Sequence, residues 1–229
     1  MKGQYKINTA VLFSGGKDSA LALLYALKET NVKCLINIIS ENDESYMFHV
    51  PNVRLAEKQA EYIGLPIIIQ KTKGEKEKEL EDLELAIKKA IKKYNIEAVV
   101  TGAIASIYQA SRIHAITDKL NIKCINPLWN KDQFELLQEL VDNNFDVLIV
   151  GVFGEGLDEL LGKKIDQKTI KELNKIYSKL KINPAGEGGE YETLVLNAPY
   201  YKKPLRVKKY SIKKEKSGGK ILVIEELSE

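Results

Sequence analysis

Hydrophobic and polar positions along the chain follow two alternating patterns. Short runs of β-branched and apolar residues predict buried strands, and the stretches between them carry apolar residues at the spacing of an amphipathic helix. The spacing of Leu80, Leu83, Ile87 and Ile91, for example, predicts a charged helix over Glu77–Tyr94. This alternation predicts an α/β fold, a doubly wound parallel sheet with helices on both faces.

Five predicted strands alternate with four predicted helices in the first half of the chain. The strands are Thr9–Phe13, Lys33–Ile39, Pro66–Gln70, Ala98–Thr101 and Ile122–Ile125. The helices are Ser19–Thr30, Arg54–Ile63, Glu77–Tyr94 and Ser106–Leu120. Ligands in such sheets bind beyond the carboxyl ends of the strands, so the segments that directly follow each strand are the first candidates for a site.

The pattern changes after Pro127. Two more helices are predicted, at Gln133–Asn143 and Gln167–Leu180. The predicted strands of this half are Val147–Val152, Thr193–Leu196, Arg206–Lys213 and Ile221–Glu226, with a hairpin turn at Ser217–Lys220. We therefore predict two domains: an α/β domain of about five strands over residues 1–125 and a smaller α+β subdomain over residues 126–229.

Composition and charge narrow the class of protein. Hydrophobic residues make up 44% of the 229 residues, enough for a packed core. A net charge of +3 is too small for nucleic-acid binding over the whole surface, so no direct nucleic-acid partner is expected. The sequence contains no apolar run of membrane-spanning length and no signal-peptide pattern. Together with the two cysteines, Cys34 and Cys124, in apolar runs, this predicts a cytoplasmic protein without a membrane partner.

The first predicted strand runs directly into a polar segment, which we call the SGGKDS loop. Its residues are Ser14, Gly15, Gly16, Lys17, Asp18 and Ser19. The glycines let backbone N–H groups approach an anion, and the following helix adds its unpaired N–H groups and positive dipole end. The lysine adds a point charge, and the aspartate fits either a helix cap or a carboxylate near Mg²⁺. The segment therefore predicts a phosphate-binding nest, the alternative being a plain strand–helix turn.

The order of residues in the SGGKDS loop differs from the Walker pattern and from the Rossmann fingerprint. It resembles the S-G-G-x-D-S signature of the PP-loop ATP pyrophosphatases. Those enzymes bind the β- and γ-phosphates of ATP in this loop, transfer AMP to an oxygen of the second substrate and release pyrophosphate. The resemblance implies ATP and Mg²⁺ as cofactors, with Lys17 and Asp18 as catalytic residues and Asp18 also as the metal-binding residue.

The segment after the second strand, residues 40–52, reads SENDESYMFHVPN. In a doubly wound sheet this segment overhangs the nucleotide, so Ser40, Met47 and His49 are candidate nucleotide-binding residues. The methionine, with Phe48, is suited to cover an adenine, and the histidine to contact a phosphate or act as a general acid. Ordinary core packing and a structural loop histidine are the alternatives.

The segment after the fourth strand offers a second group of candidates. Gly102 lets a ligand lie against bare backbone, which makes it a candidate nucleotide-binding residue. Tyr108, Gln109 and Arg112 follow at helical spacing on one flank and are candidate substrate-binding residues. The arginine can grip a carboxylate or phosphate with two hydrogen bonds, whereas an ordinary surface ion pair is the alternative.

A third candidate segment, residues 183–193, reads NPAGEGGEYET, and we call it the acidic loop. Like charges crowded together cost free energy unless a cation or a set of donors compensates them. The loop is therefore predicted to bind substrate, and its candidate residues are Glu187, Gly188, Gly189, Glu190, Glu192 and Thr193. The first and second of its glutamates, Glu187 and Glu190, are also candidate catalytic residues. A flexible acidic surface loop is the alternative.

Five motifs together resemble those of the diphthine–ammonia ligases, archaeal and eukaryotic enzymes that complete diphthamide synthesis. They are S-G-G-K-D-S, S-Y-M-F-H, G-A-I-x-S-x-Y-Q-x-x-R, N-P-L-W and G-E-G-G-E-Y-E-T. The resemblance, from Val11 to about Pro199, implies ATP-dependent amidation of diphthine on translation elongation factor two. The reaction would pass through an acyl-adenylate and release AMP and pyrophosphate. The acidic loop would bind and deprotonate ammonium or face the quaternary ammonium of diphthine.

The sequence also bears on the nitrogen source, the alternative functions and the oligomeric state. Eukaryotic relatives carry extra C-terminal domains, and this sequence has no cysteine placed like a glutaminase nucleophile, so free ammonia is the expected nitrogen source. A PP-loop tRNA-modifying enzyme and a non-enzymatic nucleotide sensor are the alternative functions. The C-terminal lysines of this chain, which could serve either nucleic acid or the elongation factor, are Lys202, Lys203, Lys208 and Lys209. The sequence leaves the oligomeric state undetermined, and a homo-oligomer is compatible with it.

Overall fold

The structure, a computed structural model, describes residues 5–40, 52, 55–73, 78–215 and 218–228. The described residues form two compact units. One contains those of 1–14, 18–49 and 56–129, and the other those of 15–17, 50–55 and 130–229. The sequence places a domain boundary near residue 126, whereas the units divide between Trp129 and Asn130. The second unit also takes in the centre of the SGGKDS loop.

The first unit is built on a five-stranded parallel sheet, as the alternating pattern predicts. Its strands are β1 (Asn8–Leu12), β2 (Asn31–Ser40), β3 (Ile67–Thr72), β4 (Ala98–Val100) and β5 (Lys123–Ile125), in the order β3-β2-β1-β4-β5. The connecting helices are α1 (Lys17–Glu29), α2 (Ala56–Ile63), α3 (Lys78–Tyr94) and α4 (Ile107–Lys119). The strand order reverses direction between β1 and β4, so the topological switch point lies beside the SGGKDS loop.

The central strands of the sheet are buried. Residues 34–39 of β2 are all buried, which explains why they are apolar apart from Asn37. On one face, α3 and α4 contribute to a single apolar cluster with Ala10, Ile36 and Val99 of the central strands. The packing of this cluster holds the ends of β1 and β4 in place, and with them the segments that carry the candidate residues.

The second unit contains a four-stranded antiparallel sheet, in agreement with the predicted α+β subdomain. Its strands are β6 (Asp146–Val152), β7 (Tyr191–Asn197), β8 (Arg206–Lys214) and β9 (Lys220–Ser228), in the order β7-β6-β9-β8. Its helices are α5 (Gln133–Asp142), α6 (Gln167–Leu180) and a short 3₁₀ helix (Asp158–Leu160) that the sequence pattern does not predict. Within the described ranges, no helix combines the length and apolar character that a bilayer span requires.

Candidate active site

The SGGKDS loop is a turn that connects β1 to α1. Gly15 has a φ of 86°, a left-handed conformation that favours glycine. Asn37 of β2 donates from Nδ2 to the carbonyl of Phe13 at 2.7 Å and so holds the end of β1. The hydroxyl oxygens of Ser14 and Ser19 lie 3.2 Å apart across the turn. The loop therefore begins and ends at positions that neighbouring groups hold in place.

Strand β7 holds the centre of the same loop. The amide of Val195 donates to the carbonyl of Gly15 at 2.9 Å, and the amide of Lys17 donates to Oγ1 of Thr193 at 3.1 Å. The ammonium of this lysine lies 5.6 Å from the centroid of the Tyr191 ring, a cation–π distance. Residues two apart on a strand point to the same side, so one side of β7 carries both side-chain contacts.

The bare face of Gly102 is occupied by the start of α1. A Cβ atom at this position would lie 2.7 Å from the carbonyl carbon of Asp18 and 2.8 Å from the amide nitrogen of Ser19. Both neighbours are backbone atoms and cannot move aside as a flexible side chain does. The sequence predicts a ligand on this face, whereas α1 itself requires the glycine. Direct contact between Gly102 and a nucleotide stays a prediction.

Replacing Gly102 with alanine is expected to lower the free energy of unfolding by about 1–3 kcal/mol, because the added methyl group overpacks against the first turn of α1. ATP affinity should fall with it, since the displaced turn carries the SGGKDS loop. Urea denaturation and calorimetric titration with ATP measure the two effects. An unchanged denaturation midpoint together with unchanged ATP affinity would show that this close approach is unimportant.

The predicted flank of α4 is present in the structure. The guanidinium carbon of Arg112 lies 3.4 Å from the centroid of the Tyr108 ring, so the two side chains stack. Ser106 caps the helix by accepting a hydrogen bond from the amide of Gln109 at 3.3 Å. The stacked ring limits the orientations of the guanidinium, as a bidentate anion contact requires. Substrate binding by these three residues stays a prediction.

The acidic loop folds around the carboxylate of Glu190. Its Oε1 atom accepts hydrogen bonds from the backbone amide and from Nδ2 of Asn183, both at 2.8 Å. Its Oε2 atom accepts from the backbone amide of Gly188 at 2.8 Å. A Cβ atom on this glycine would lie 2.6 Å from Asn183 Nδ2 and 2.8 Å from the carboxylate, so a larger residue would have to displace these two side-chain groups. The set of donors that the crowded acids predict is thus supplied in part by the loop itself.

Backbone contacts attach the acidic loop to the antiparallel sheet. The carbonyl of Glu190 accepts from the amides of Phe153 at 2.8 Å and Gly154 at 3.1 Å, just beyond the end of β6. The hydroxyl of Tyr191 donates to the carbonyl of Pro184 at 2.7 Å. The side chains of Glu187 and Glu192 are half-buried. The loop is therefore an ordered part of the second unit and differs from the flexible surface loop that was the alternative.

Two of the predicted nucleotide-binding residues, Met47 and His49, lie outside the described residues. Ser40 is the last residue of β2 and is half-buried, which places it at the carboxyl end of a central strand, as predicted. Among the described residues, no group of three or more His, Cys, Asp or Glu side chains is arranged to hold a metal ion. A protein-only metal cage is therefore absent from the described part of the chain.

Both cysteines have low thiolate character. Burial raises the pKa of Cys34 to about 12 and that of Cys124 to about 11. The second cysteine lies in a cleft of about 460 Å³ that Ile107, His114 and Trp129 also line. Because both pKa values are raised, the uncharged thiol predominates at neutral pH, and neither side chain is poised as a nucleophile.

Alkylation by iodoacetamide at pH 8 is therefore expected to be slow in the folded protein. With a pKa of about 11, only roughly one Cys124 side chain in a thousand is a thiolate at that pH, against about a quarter for an ordinary cysteine. The rate at this residue should rise about tenfold per pH unit until the pH approaches its pKa. Mass spectrometry measures labelling, and the protein unfolded in urea is the control. Rapid labelling of either cysteine in the native state would contradict the assignment.

The fold and the SGGKDS loop define a class of protein. A parallel sheet in the order β3-β2-β1-β4-β5 carries a glycine-containing loop between its first strand and first helix, at the switch point of the sheet. This arrangement is that of an α/β protein with a candidate phosphate-binding loop, and the sequence of that loop resembles the PP-loop signature.

Comparison with known families gives a more specific result. The family "Diphthamide synthase N-terminal domain" matches residues 7–124, and "Diphthamide synthase C-terminal domain" matches residues 132–228. The chain belongs to the diphthamide synthase family, which confirms the resemblance that its motifs indicate.

Relatives in this family bear the name diphthine–ammonia ligase. The protein of Schizosaccharomyces pombe is 32% identical over 225 residues, which cover 90% of this chain and 37% of the yeast protein. Those of Bos taurus and Homo sapiens are 31% and 30% identical over 224 residues, covering 88% of this chain and 83% of each relative. The chain thus spans little more than a third of the yeast relative's length and most of the two mammalian ones. Diphthine–ammonia ligases form a C–N bond, amidating diphthine to diphthamide at the expense of ATP.

Among solved structures, a predicted subunit of tRNA methyltransferase from Methanocaldococcus jannaschii aligns with a TM-score of 0.43 and 19% identity. The alignment covers 84% of this chain and 98% of that chain. A similarity of this size has no bearing on function.

Proposed function

We propose that this chain is itself a diphthine–ammonia ligase, which activates the carboxylate of diphthine on translation elongation factor two as an acyl-adenylate and transfers the acyl group to ammonia. One observation in particular supports the proposal. Strand β7 begins at the end of the acidic loop, and its first residues contact Lys17 of the SGGKDS loop. The first residues of β7 therefore belong to the acidic loop, which is the proposed substrate-binding segment. The same residues contact the centre of the SGGKDS loop, which is the proposed ATP-binding segment.

The chemistry explains why both loops are needed. A carboxylate is a poor acylating agent because its leaving group would be oxide, whereas an acyl-adenylate releases AMP, a stabilised phosphate. Attack of the carboxylate on the α-phosphorus expels pyrophosphate and places additional negative charge on it. Backbone amides of the SGGKDS loop, the N-terminal end of α1 and the ammonium of Lys17 stabilise that charge.

The proposed nucleotide-binding set is the one that the sequence predicts. Its members are Ser14, Gly15, Gly16, Lys17, Asp18, Ser19, Ser40, Met47, His49 and Gly102. Mg²⁺ in nucleotide enzymes is commonly held by one or two carboxylates together with the phosphates, so Asp18 in the first turn of α1 fits such a site without a protein-only cage. When bound, the ion supplies positive charge at the phosphate oxygens.

The glutamates of the acidic loop have different proposed roles. Both carboxylate oxygens of Glu190 accept hydrogen bonds from the loop itself, so this residue acts by holding the loop in shape. Glu187 and Glu192 are the proposed carboxylates that meet the substrate, either ammonium as its proton leaves or the quaternary ammonium of diphthine. The proposed binding set of this loop also includes Gly188, Gly189 and Thr193, together with Tyr108, Gln109 and Arg112 of α4.

The structure favours this function over the alternative of tRNA modification. The two cysteines have raised pKa values, so neither is suited to serve as the catalytic cysteine that a tRNA-modifying enzyme of this kind would need. In the C-terminal lysine cluster, Lys208 pairs with Glu226 and Lys209 pairs with Glu225 at 2.8 Å. These carboxylates offset much of the positive charge that a nucleic-acid surface would need. We also propose a cytoplasmic location, because the protein substrate is a translation factor.

The proposal is tested by incubating the protein with ATP, ¹⁵N-ammonium and diphthine-bearing elongation factor two. We expect AMP and pyrophosphate in amounts equal to the diphthamide formed, with the heavy nitrogen in the amide by mass spectrometry. Production of ADP would contradict the proposed bond cleavage. AMP without amidation would point to another acyl acceptor, and absence of any nucleotide turnover would favour the nucleotide sensor. Unmodified elongation factor two and bulk tRNA serve as controls.

A further inference from the structure

We infer that Gln133 is a positioning residue for the proposed reaction, holding the acidic loop in shape from outside it. The inference deepens the proposed function and rests on it. Gln133 is the first residue of α5 and lies about fifty residues before the loop in the sequence. Its carboxamide reaches two members of the loop, Asn183 and Ala185, at the segment where the loop begins.

The carboxamide of Gln133 makes two hydrogen bonds, one through its oxygen and one through its nitrogen. Oε1 of Gln133 accepts from the backbone amide of Ala185 at 2.9 Å, and Nε2 donates to Oδ1 of Asn183 at 3.3 Å. Ala185 is fully buried, so without this acceptor its amide would lose a partner that water cannot readily replace. A backbone amide can only donate, which determines the orientation of the glutamine carboxamide.

The second contact transmits that orientation to Glu190. With Oδ1 of Asn183 turned towards the glutamine nitrogen, Nδ2 of the same residue points at Glu190 Oε1, 2.8 Å away. The opposite orientation of the asparagine amide would place its carbonyl oxygen against a carboxylate and leave two acceptors facing each other. Gln133 therefore selects the one orientation of Asn183 that can hold the central carboxylate of the loop.

Gln133 belongs to a helix, α5, that is capped and packed, whereas the acidic loop is rich in glycine. Asp132 caps α5, its Oδ1 accepting from the amides of Phe134 at 2.9 Å and Glu135 at 3.0 Å. Three leucines of the helix, Leu136, Leu137 and Leu140, are buried. Glycine-rich backbone loses much conformational freedom on ordering, so an external contact from a fixed helix restricts the shapes that the loop can adopt.

Gln133→Ala and a matched control, Gln138→Ala, test the inference. Gln138 lies on the same helix, and its Nε2 donates to Asp142 on the surface at 2.7 Å. Hydrogen exchange followed by mass spectrometry should show faster exchange over residues 183–190 in Gln133→Ala and none of this change in the control. The value of kcat/KM for amidation should fall about tenfold, with ATP affinity within about twofold of wild type.

A second variant separates the two contacts. Gln133→Glu keeps an acceptor for the amide of Ala185 but loses the donor to Asn183, so exchange at the Ala185 amide should stay slow while amidation remains impaired. Unchanged exchange over residues 183–190 in both variants would overturn the inference, as would an equal loss of ATP affinity and amidation in Gln133→Ala. If the wild-type protein itself forms no diphthamide, the proposed function fails, whereas the exchange result still decides whether this residue orders the loop.

Discussion

A Lys17→Ala variant is expected to fold and to form AMP at one-hundredth or less of the wild-type rate. Removing one preorganised group that stabilises charge in a transition state typically lowers the rate by about a hundredfold to a thousandfold. Lys17 is 4% exposed, and its ammonium lies over the Tyr191 ring. A charge held in such a poorly solvated position acts on departing pyrophosphate more strongly than a solvated one.

The comparison that isolates this effect is with Lys28→Ala. Lys28 belongs to the last turn of the same helix and is exposed, so its loss should leave AMP formation within about twofold of wild type. Circular dichroism and urea denaturation establish that both variants are folded. AMP formation is followed by chromatography with saturating ATP, ammonium and diphthine-bearing elongation factor two. Near-normal AMP formation by a folded Lys17→Ala protein would remove this residue from the reaction.

The second large effect is expected at Glu190. Its replacement by alanine removes the acceptor of three N–H groups, two from Asn183 and one from Gly188. Hydrogen bonds to a charged group contribute about 1.5–3 kcal/mol each, but solvent compensates part of the loss where the loop is exposed. We expect the free energy of unfolding to fall by about 2–3 kcal/mol and amidation to fall at least a hundredfold, because the proposed substrate loop loses its shape.

Two further variants show how Glu190 acts. Glu187→Gln should impair amidation, because this neighbour is proposed to meet substrate, and urea denaturation measures its effect on the free energy of unfolding. Glu159→Ala removes an exposed acid of the 3₁₀ helix and should change neither quantity. ATP affinity, measured by calorimetry, should be retained in all three. Unchanged diphthamide yield in Glu190→Ala would exclude the acidic loop from the reaction, and unchanged stability would exclude the structural role of its carboxylate.

Much of the fold could be predicted because the sequence patterns that indicate helices and strands extend over only a few residues. Helix α6 has the predicted bounds, and each predicted strand is present with its ends shifted by at most two residues. Helix α1 differs from its prediction, because it begins at Lys17, two residues before the predicted start. The amide of this first residue donates to Thr193, a partner 176 residues away that no local pattern reveals.

The functional roles of the candidate residues stay predictions, whereas the structure shows what several of them contact. Three glutamates crowded among glycines predict a compensating set of charges or donors, and the donors to Glu190 include backbone amides of its own loop. Gly102 was predicted for its bare backbone, but the close neighbour is the first turn of α1. Gln133 gave no signal at all, because a single polar residue after a helix cap is ordinary.

The amino-acid sequence by itself determined the order of strands and helices and the family, and it predicts a phosphate-binding loop. Apolar periodicity, glycine placement and short motifs act over a few residues and can be recognised without a partner. Only the tertiary structure decided that β7 holds the SGGKDS loop and that Gln133 and Asn183 orient the carboxylate of Glu190. The contacts of Thr193 with Lys17 and of Gln133 with Asn183 join segments that are distant in sequence, and their partners are determined by how the sheet and helices pack.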